Sequence, residues 1–317
     1  MLTGEMGRRR MIVVVPAWGD DYCRLFLGPV LRTHRAALEA LRQEFANTVE
    51  VRYVVQTDQP VAVARALEGI DLTLVPTPAT KRFVFQTLCE GHARGIEDAR
   101  ELDRVVLLNA DIMISTGTFA AIERRFRQGK KAVVCGGTRT LVRPWTMFPK
   151  PLPARALASW AIRHPHPITR DFFWGTGKTT HPCTVYFREG ANVVLRGFHL
   201  HPLAIIKDRR TPFDGSIDLN LIEAYRTDEI HLVTDVDELS IAEISAKGKT
   251  YDTGERPFDV SQIVSWAVRG ATSMHWWNFS HRIIIAGSGD AVAGDMAIAD
   301  EVLRLNPYPA ALAPTTI

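Results

Sequence analysis

Val105-Val106-Leu107-Leu108-Asn109-Ala110-Asp111-Ile112-Met113-Ile114-Ser115 decides how this chain is read. It opens as a continuous apolar run, the pattern of a strand buried on both faces. An amide and a carboxylate then follow, two residues apart, at the strand's C-terminal end. Residues i and i+2 of a strand share a side, so Asn109 and Asp111 can face one ligand. In an open α/β sheet that edge is where ligands bind. An oxygen pair of this kind suits a hard divalent cation, Mn²⁺ or Mg²⁺, that is also held by phosphates. The competing reading is a plain strand end, with Asp111, Thr116 or Thr118 capping the next helix.

Upstream, apolar runs and helical spacings alternate. Met11 to Val15 is a β-branched strand that runs into Pro16-Ala17-Trp18-Gly19-Asp20-Asp21, a loop by composition. Such a loop can hold a nucleotide, with Trp18 on a base or ribose and Asp20 or Asp21 on ribose hydroxyls; the alternative is a surface turn with Trp18 covering the core edge. Residues 24–46 carry Leu27, Leu31, Leu38, Leu41 and Phe45 at helical spacing, interrupted near Gly28-Pro29. A second strand, Val51 to Val55, ends in Gln56-Thr57-Asp58, where Thr57 and Asp58 can meet a base edge or form a turn. A helix over 61–68, a strand over 72–75 and a helix over 81–102 complete three strand–helix units before Asn109, the signal of a doubly wound sheet.

Downstream, a helix over 118–128 and a strand over 131–135 continue the alternation. Residues 138–182, rich in Pro and aromatics, read as an insertion over the same sheet edge, with a helix over 154–163. Its aromatics, Trp145, Phe148, Phe172, Phe173 and Trp174, either stack on a sugar or fill a satellite core. A hairpin over 184–196 leads to Gly197-Phe198-His199-Leu200-His201. Read as one strand, that segment puts His199 and His201 on one face, able to reach a metal or a diphosphate. Asp214 and Asp218 follow on a loop; Asp214, before a Gly, is either a turn residue or a base beside an acceptor hydroxyl. Asp235-Val236-Asp237-Glu238 is a rival cation site. Met274 to Arg282 mixes aromatics with His and Arg, which suits a packed helix, a lid or a membrane interface.

Composition sets the outer limits. A chain of 317 residues can bury a large core, and a net charge of +3 gives no case for nucleic acid. The four cysteines, Cys23, Cys89, Cys135 and Cys183, show no metal spacing and read as reduced thiols of a cytoplasmic protein. Neither a signal peptide nor a spanning helix is legible. The basic clusters at Gly7–Arg10 and Lys207–Arg210 leave room for peripheral contact with the inner membrane face.

Three of these features carry a resemblance: the Val-rich strand ending in Pro-Ala-Trp-Gly, Val-Val-Gln-Thr-Asp closing the second strand, and Leu-Leu-Asn-Ala-Asp about a hundred residues in. Over residues 11–137 the chain resembles the nucleotide-sugar-dependent glycosyltransferases of the GT-A fold. The resemblance implies a Rossmann-like, mostly parallel sheet flanked by helices. It implies a catalytic domain over 11–255, with a nucleotide-binding half (11–137), an acceptor half (138–255) and a C-terminal helical extension (256–317). It implies transfer of a sugar from a nucleotide donor to a hydroxyl on a glycan, lipid-linked or protein acceptor, in bacterial surface glycan or glycolipid synthesis. The last Asp of that family's Asp-x-Asp motif binds the metal, a role that falls to Asp111; Asn109 stands where the first Asp would be. A late histidine ligand falls to His199 or His201, and an inverting enzyme's base to Asp214 or Asp218. Donor contacts fall to Pro16, Ala17, Trp18, Asp20, Thr57, Asp58 and Asn109. Two other functions share the pattern: a sugar nucleotidyltransferase, and a non-catalytic nucleotide-sugar or glycan-binding protein.

Overall fold

A computed structural model describes residues 9–77, 84–141, 150–209, 217, 221–245, 253–287 and 293–308. The chain alternates from the start: β1 (Arg9–Pro16), α1 (Asp20–Leu25), α2 (Leu31–Phe45), β2 (Val49–Thr57), α3 (Pro60–Ala66), β3 (Asp71–Pro76), α4 (Val84–Asp98) and β4 (Arg104–Leu107). Where Gly28-Pro29 was expected to break a helix, Phe26–Val30 forms a π-helical turn that joins α1 to α2. The wider turn accommodates a residue with no backbone N–H, so the helical path continues.

Beyond β4 come β5 (Ile112–Ile114), α5 (Thr118–Arg127), β6 (Ala132–Cys135), β7 (Gly137–Leu141), α6 (Ala154–Arg163) and α7 (Pro167–Asp171). The hairpin β8 (Thr184–Glu189) and β9 (Asn192–Gly197) precedes β10 (His201–Ile206), β11 (Ile230–Val233) and β12 (Ile241–Ser245). The segment after 256 supplies α8 (Val260–Gly270), α9 (Ser273–Ser280), β13 (Ile283–Ala286) and α10 (Ala293–Arg304).

The main sheet has seven strands in the order β11-β6-β10-β4-β1-β2-β3. All its pairings are parallel except those of β10, which runs against β4 and β6. This is a mixed α/β architecture with a mainly parallel sheet flanked by helices. Winding runs outward from β1 through β2 to β3, then returns to place β4 on β1's other side. That reversal is a topological switch point, which opens a crevice at the carboxyl ends of β1 and β4. The fully buried β1 core, Met11 to Val15, anchors both flanking strands.

Two smaller sheets build the far side. One has the order β5-β12-β7, the other β13-β9-β8. The C-terminal segment is therefore more than helical: β13 completes the hairpin's sheet, and α8 to α10 cover it. Phe198 stacks on Phe279 at 4.3 Å between ring centroids, with Trp276 edge-on. Asp295, fully buried on α10, accepts from Arg196 of β9 at 2.7 and 3.3 Å and lies 3.2 Å from Arg282. Two of the three aromatics of α9, Trp276 and Phe279, are thus core residues, while Trp277 is half-buried.

Candidate functional site at the carboxyl edge of the sheet

A cavity of about 560 Å³ opens at the switch point. Pro16 at the end of β1, Trp18 after it, Tyr22 of α1, and Asn109, Ala110 and Asp111 after β4 form one wall. Phe85, Leu88, Cys89 and His92 of α4 form another. The third comes from the later half of the chain: Thr138 and Arg139 of β7, Thr169 of α7, Phe172, Tyr186 of β8, His199, His201 and Glu243 of β12. Residues that sequence alone placed in separate halves meet in one space.

Local geometry fixes each group. Asn109 and Asp111 sit in the turn between β4 and β5, where the Asn109 carbonyl accepts the Ile112 N–H at 3.1 Å. The Asp111 carbonyl accepts from Ile244 of β12 at 2.8 Å, which ties the turn to the small sheet. The Asp111 side chain is buried at 3% exposure, and the buried Asn109 Oδ1 has no hydrogen-bond partner. A buried acceptor left unsatisfied costs about 1–3 kcal/mol, so Asn109 Oδ1 marks a place where a ligand's donor or a cation is favoured.

The two histidines reach the cavity by different routes from the one expected. The chain turns at Phe198–Leu200, so His199 lies before β10 and His201 begins it; they do not share a strand face. Phe198 is drawn into the C-terminal core, and that turns the segment. The His201 Nε2–H donates to the Leu107 carbonyl at 2.8 Å, and the His92 Nε2–H to the Leu108 carbonyl at 3.3 Å. Both imidazoles thereby cap the end of β4. Burial holds the His92 pKa down to about 3, helped by nearby His201. Burial also lowers His199 to about 4, helped by His275, whose ring centroid is 4.6 Å away. Both are neutral at ordinary pH.

Among the described residues, no three His, Cys, Asp or Glu side chains come together closely enough to hold a metal ion. Asp111, His199 and His201 line one cavity without forming such a group. Asn109 and Asp111 lie in a turn and not on one strand face as expected, yet both line the cavity, where each can offer an oxygen to a ligand. The rival acidic triple is committed elsewhere. Asp237 is bound by Arg155 at 2.5 Å, and Glu238 by Arg125 at 2.6 Å and His231 at 2.9 Å, while Asp235 accepts the Asp237 N–H. Basic side chains thus already engage two of these three carboxylates.

The donor-loop residues divide. Pro16 and Trp18 line the cavity, whereas Ala17 is fully buried and its N–H donates to the Gln56 carbonyl at 2.8 Å. Asp58 latches the loop: the Gly19 N–H donates to both its carboxylate oxygens at 3.0 and 3.1 Å. Asp20 accepts from Gln59, and Thr57 accepts the Gln59 N–H. Ala17, Asp20, Thr57 and Asp58 do not line the cavity. Asp214 and Asp218, with Trp145 and Phe148, lie outside the described residues. Arg9 and Arg10, expected as part of a free basic cluster, pair with Glu123 and Asp103.

Sequence reasoning missed His92, Arg139 and Glu243. The alternation around Ile241 and Ile244 was the signal for Glu243. Nothing local announced His92 or Arg139. Gly91 and Gly95 were the cue for α4: ideal Cβ atoms there would lie 2.3 Å from Gln56 Oε1 and from Val14 Cγ2, so α4 rides directly on the sheet.

No family model and no curated protein matches the chain. Among solved structures it is similar to 4-diphosphocytidyl-2C-methyl-D-erythritol synthase from Anaerococcus prevotii, at 13% identity and a TM-score of 0.38, over 82% of this chain and 96% of that one. It is also similar to a candidate glucose-1-phosphate thymidylyltransferase from Bacillus anthracis in complex with sucrose, at 16% identity and a TM-score of 0.26, over 41% of this chain and 55% of that one. Likeness at this level carries no assignment of activity, which has to rest on the cavity itself.

Proposed function

We propose that this protein is a nucleotide-sugar-dependent glycosyltransferase, with its donor lying across the carboxyl ends of β1 and β4. The observation that carries the reading is the cavity itself, which brings the nucleotide-side residues Trp18, Asn109 and Asp111 against acceptor-side residues of β7, α7, β8 and β12. Group transfer needs two substrates held in line in one space, and a binding module needs only one wall. Trp18 stacks on the base or ribose. Asn109 and Asp111 are the residues that would hold a divalent cation, Mn²⁺ or Mg²⁺, whose chemistry would be to neutralise charge on the leaving diphosphate. His92 and His201, anchored on β4 carbonyls, fix the floor beneath them. For an inverting reaction, Asp214, and after it Asp218, is the proposed base toward the acceptor hydroxyl.

The charge of the β1 loop weighs against nucleotidyl transfer. Asp20 and Asp21 occupy the first turn of α1, and Asp58 closes on Gly19. Pro16-Ala17-Trp18-Gly19 also supplies neither the glycine-rich loop nor the basic residue with which nucleotidyltransferases usually open.

The test is thermal shift with UDP-, GDP-, CMP- and dTDP-sugars, each with and without Mn²⁺ or Mg²⁺, on wild type and Asp111→Ala. A ligand at a hundred times its Kd adds about 2.7 kcal/mol to the folded state. Metal-dependent stabilisation by one nucleotide class, lost in Asp111→Ala, is the expected result. No stabilisation by any of them removes the glycosyltransferase reading.

A further inference from the structure

The cavity holds an ion pair that the donor site described so far does not use. β7 and β12 run parallel with Arg139 opposite Glu243, and β12 places Glu243 opposite Ile112 of β5, the neighbour of Asp111. Arg139 Nη2 donates to Glu243 Oε2 at 2.6 Å, and Ser245 Oγ donates to Glu243 Oε1 at 3.1 Å. Both side chains line the cavity and are about a quarter exposed, at 22% and 24%. The Arg139 backbone is clamped: its carbonyl accepts from Thr169 Oγ1 at 2.7 Å and from the His166 N–H at 3.1 Å.

Arg139 is the one arginine or lysine among the described residues that line this cavity. Among the described lining residues, a phosphate that enters therefore finds a permanent positive side chain at Arg139 alone, already engaged by a carboxylate. A guanidinium fork matches phosphate and carboxylate alike, so ligand and Glu243 compete for one partner.

We propose that Arg139 is an oxyanion-binding residue of this cavity and that Glu243 is its resident competitor. On phosphate binding the guanidinium exchanges carboxylate for phosphate, and the released Glu243 accepts a hydroxyl of the same substrate. The ligand class is a phosphate carried beside hydroxyls, as in a sugar phosphate or a sugar nucleotide. The inference rests on the glycosyltransferase reading only for which molecule carries that phosphate.

Calorimetric titration of the full chain tests it. The probes are inorganic pyrophosphate, glucose 1-phosphate, the nucleoside diphosphates UDP, GDP and dTDP, and the matching nucleosides. The proteins are wild type, Arg139→Gln, Arg139→Lys and Glu243→Gln, each first shown to melt cooperatively. Arg139→Gln is expected to raise the Kd for the phosphate-bearing probes at least about tenfold, the weight of one charge-assisted hydrogen bond, and to leave nucleosides unchanged. Arg139→Lys falls between. Glu243→Gln is expected to lower the same Kd several-fold. Both substitutions break one ion pair, so a purely structural role moves both variants the same way, and that result overturns the proposal, as does no change in either. Opposite shifts seen with the nucleoside diphosphates place the oxyanion on the donor. Opposite shifts confined to glucose 1-phosphate, added to nucleotide-saturated protein, place it on the acceptor. If pyrophosphate shows the opposite shifts while no nucleotide binds, the oxyanion site stands and the glycosyltransferase reading falls. No binding of any phosphate probe to wild type overturns the inference.

Discussion

Gly95→Ala tests whether the cavity depends on how closely α4 sits on β1. An ideal Cβ at Gly95 would lie 2.3, 2.5 and 2.9 Å from Val14 Cγ2, Cγ1 and Cβ, against a carbon–carbon optimum of about 3.5–4.0 Å. Val14 cannot yield, because its strand is held on both sides, opposite Val54 and Leu107. The helix must lift by roughly 1 Å to regain normal contact. Overpacking of this kind costs about 1–3 kcal/mol. Alanine's better helix propensity returns up to about 1 kcal/mol, so the steric term wins by about 1–2 kcal/mol. At roughly 2–4 °C per kcal/mol for a chain of this order, Tm falls by about 2–8 °C. The same lift withdraws Leu88, Cys89 and His92 from the cavity wall, so stabilisation by nucleotide weakens as well. Thermal melts followed by circular dichroism, with and without the nucleotide that stabilises wild type, read both effects. Gly270→Ala is the control: it ends α8 with nothing within 4 Å of its Cβ, and Tm should hold or rise. A Gly95→Ala protein that melts with wild type and binds nucleotide equally would refute the close seating of α4.

Three other perturbations follow from particular contacts. Asp295→Ala leaves Arg196, 9% exposed, without its carboxylate inside the C-terminal core; breaking such a pair costs about 3–5 kcal/mol, and urea unfolding should show a matching loss of midpoint. Burial works against ionisation of Glu238, but hydrogen bonds from His231 and Arg125 outweigh it and hold the carboxyl at about 2, against an ordinary 4.5. A depressed carboxylate stabilises the fold above its unfolded pKa and loses that contribution as pH falls through the folded one. Between pH 4.5 and 2 wild type should therefore lose stability that Glu238→Gln lacks from the outset, so that melting curves of the two converge in acid. Trp18→Ala should cut nucleotide affinity by about 1–3 kcal/mol, the worth of one base–aromatic stack, while binding of inorganic pyrophosphate stays unchanged; equal weakening of both would assign Trp18 to the wall and not to the base.

The parts legible in the sequence are those whose cause is local. β-branched runs declared β1, β2 and β4, and helical spacing gave α2, α5 and α6, the last with its bounds matching residues 154–163. Asn109 and Asp111 were legible as the polar end of a buried strand, at the carboxyl edge where ligands bind in a wound sheet, and both line the cavity. The parts that were missed depend on partners far along the chain. β5 is three residues long and exists only because β12 pairs with it. Arg139 and Glu243 are separated by 104 residues, and neither has a neighbour in sequence that hints at the other. His199 and His201 were placed on one strand face because the rule of alternate residues assumes an unbroken strand. Stacking of Phe198 on Phe279, 81 positions later, breaks it.

Asn109 shows why local and remote evidence must be combined. Read locally, an amide in place of a carboxylate removes one charge from a cation site. In the fold, its Oδ1 is buried and unpartnered beside a buried Asp111. Two carboxylates enclosed side by side there would repel each other in a medium of low dielectric. On the proposed reading, a neutral oxygen would keep a second ligand for a divalent cation without that cost. Such a site would bind the ion weakly through its protein ligands alone and more tightly once a diphosphate supplied the missing charge. Thermal shift with metal alone against metal and nucleotide together tests this, and equal stabilisation by the two would refute it.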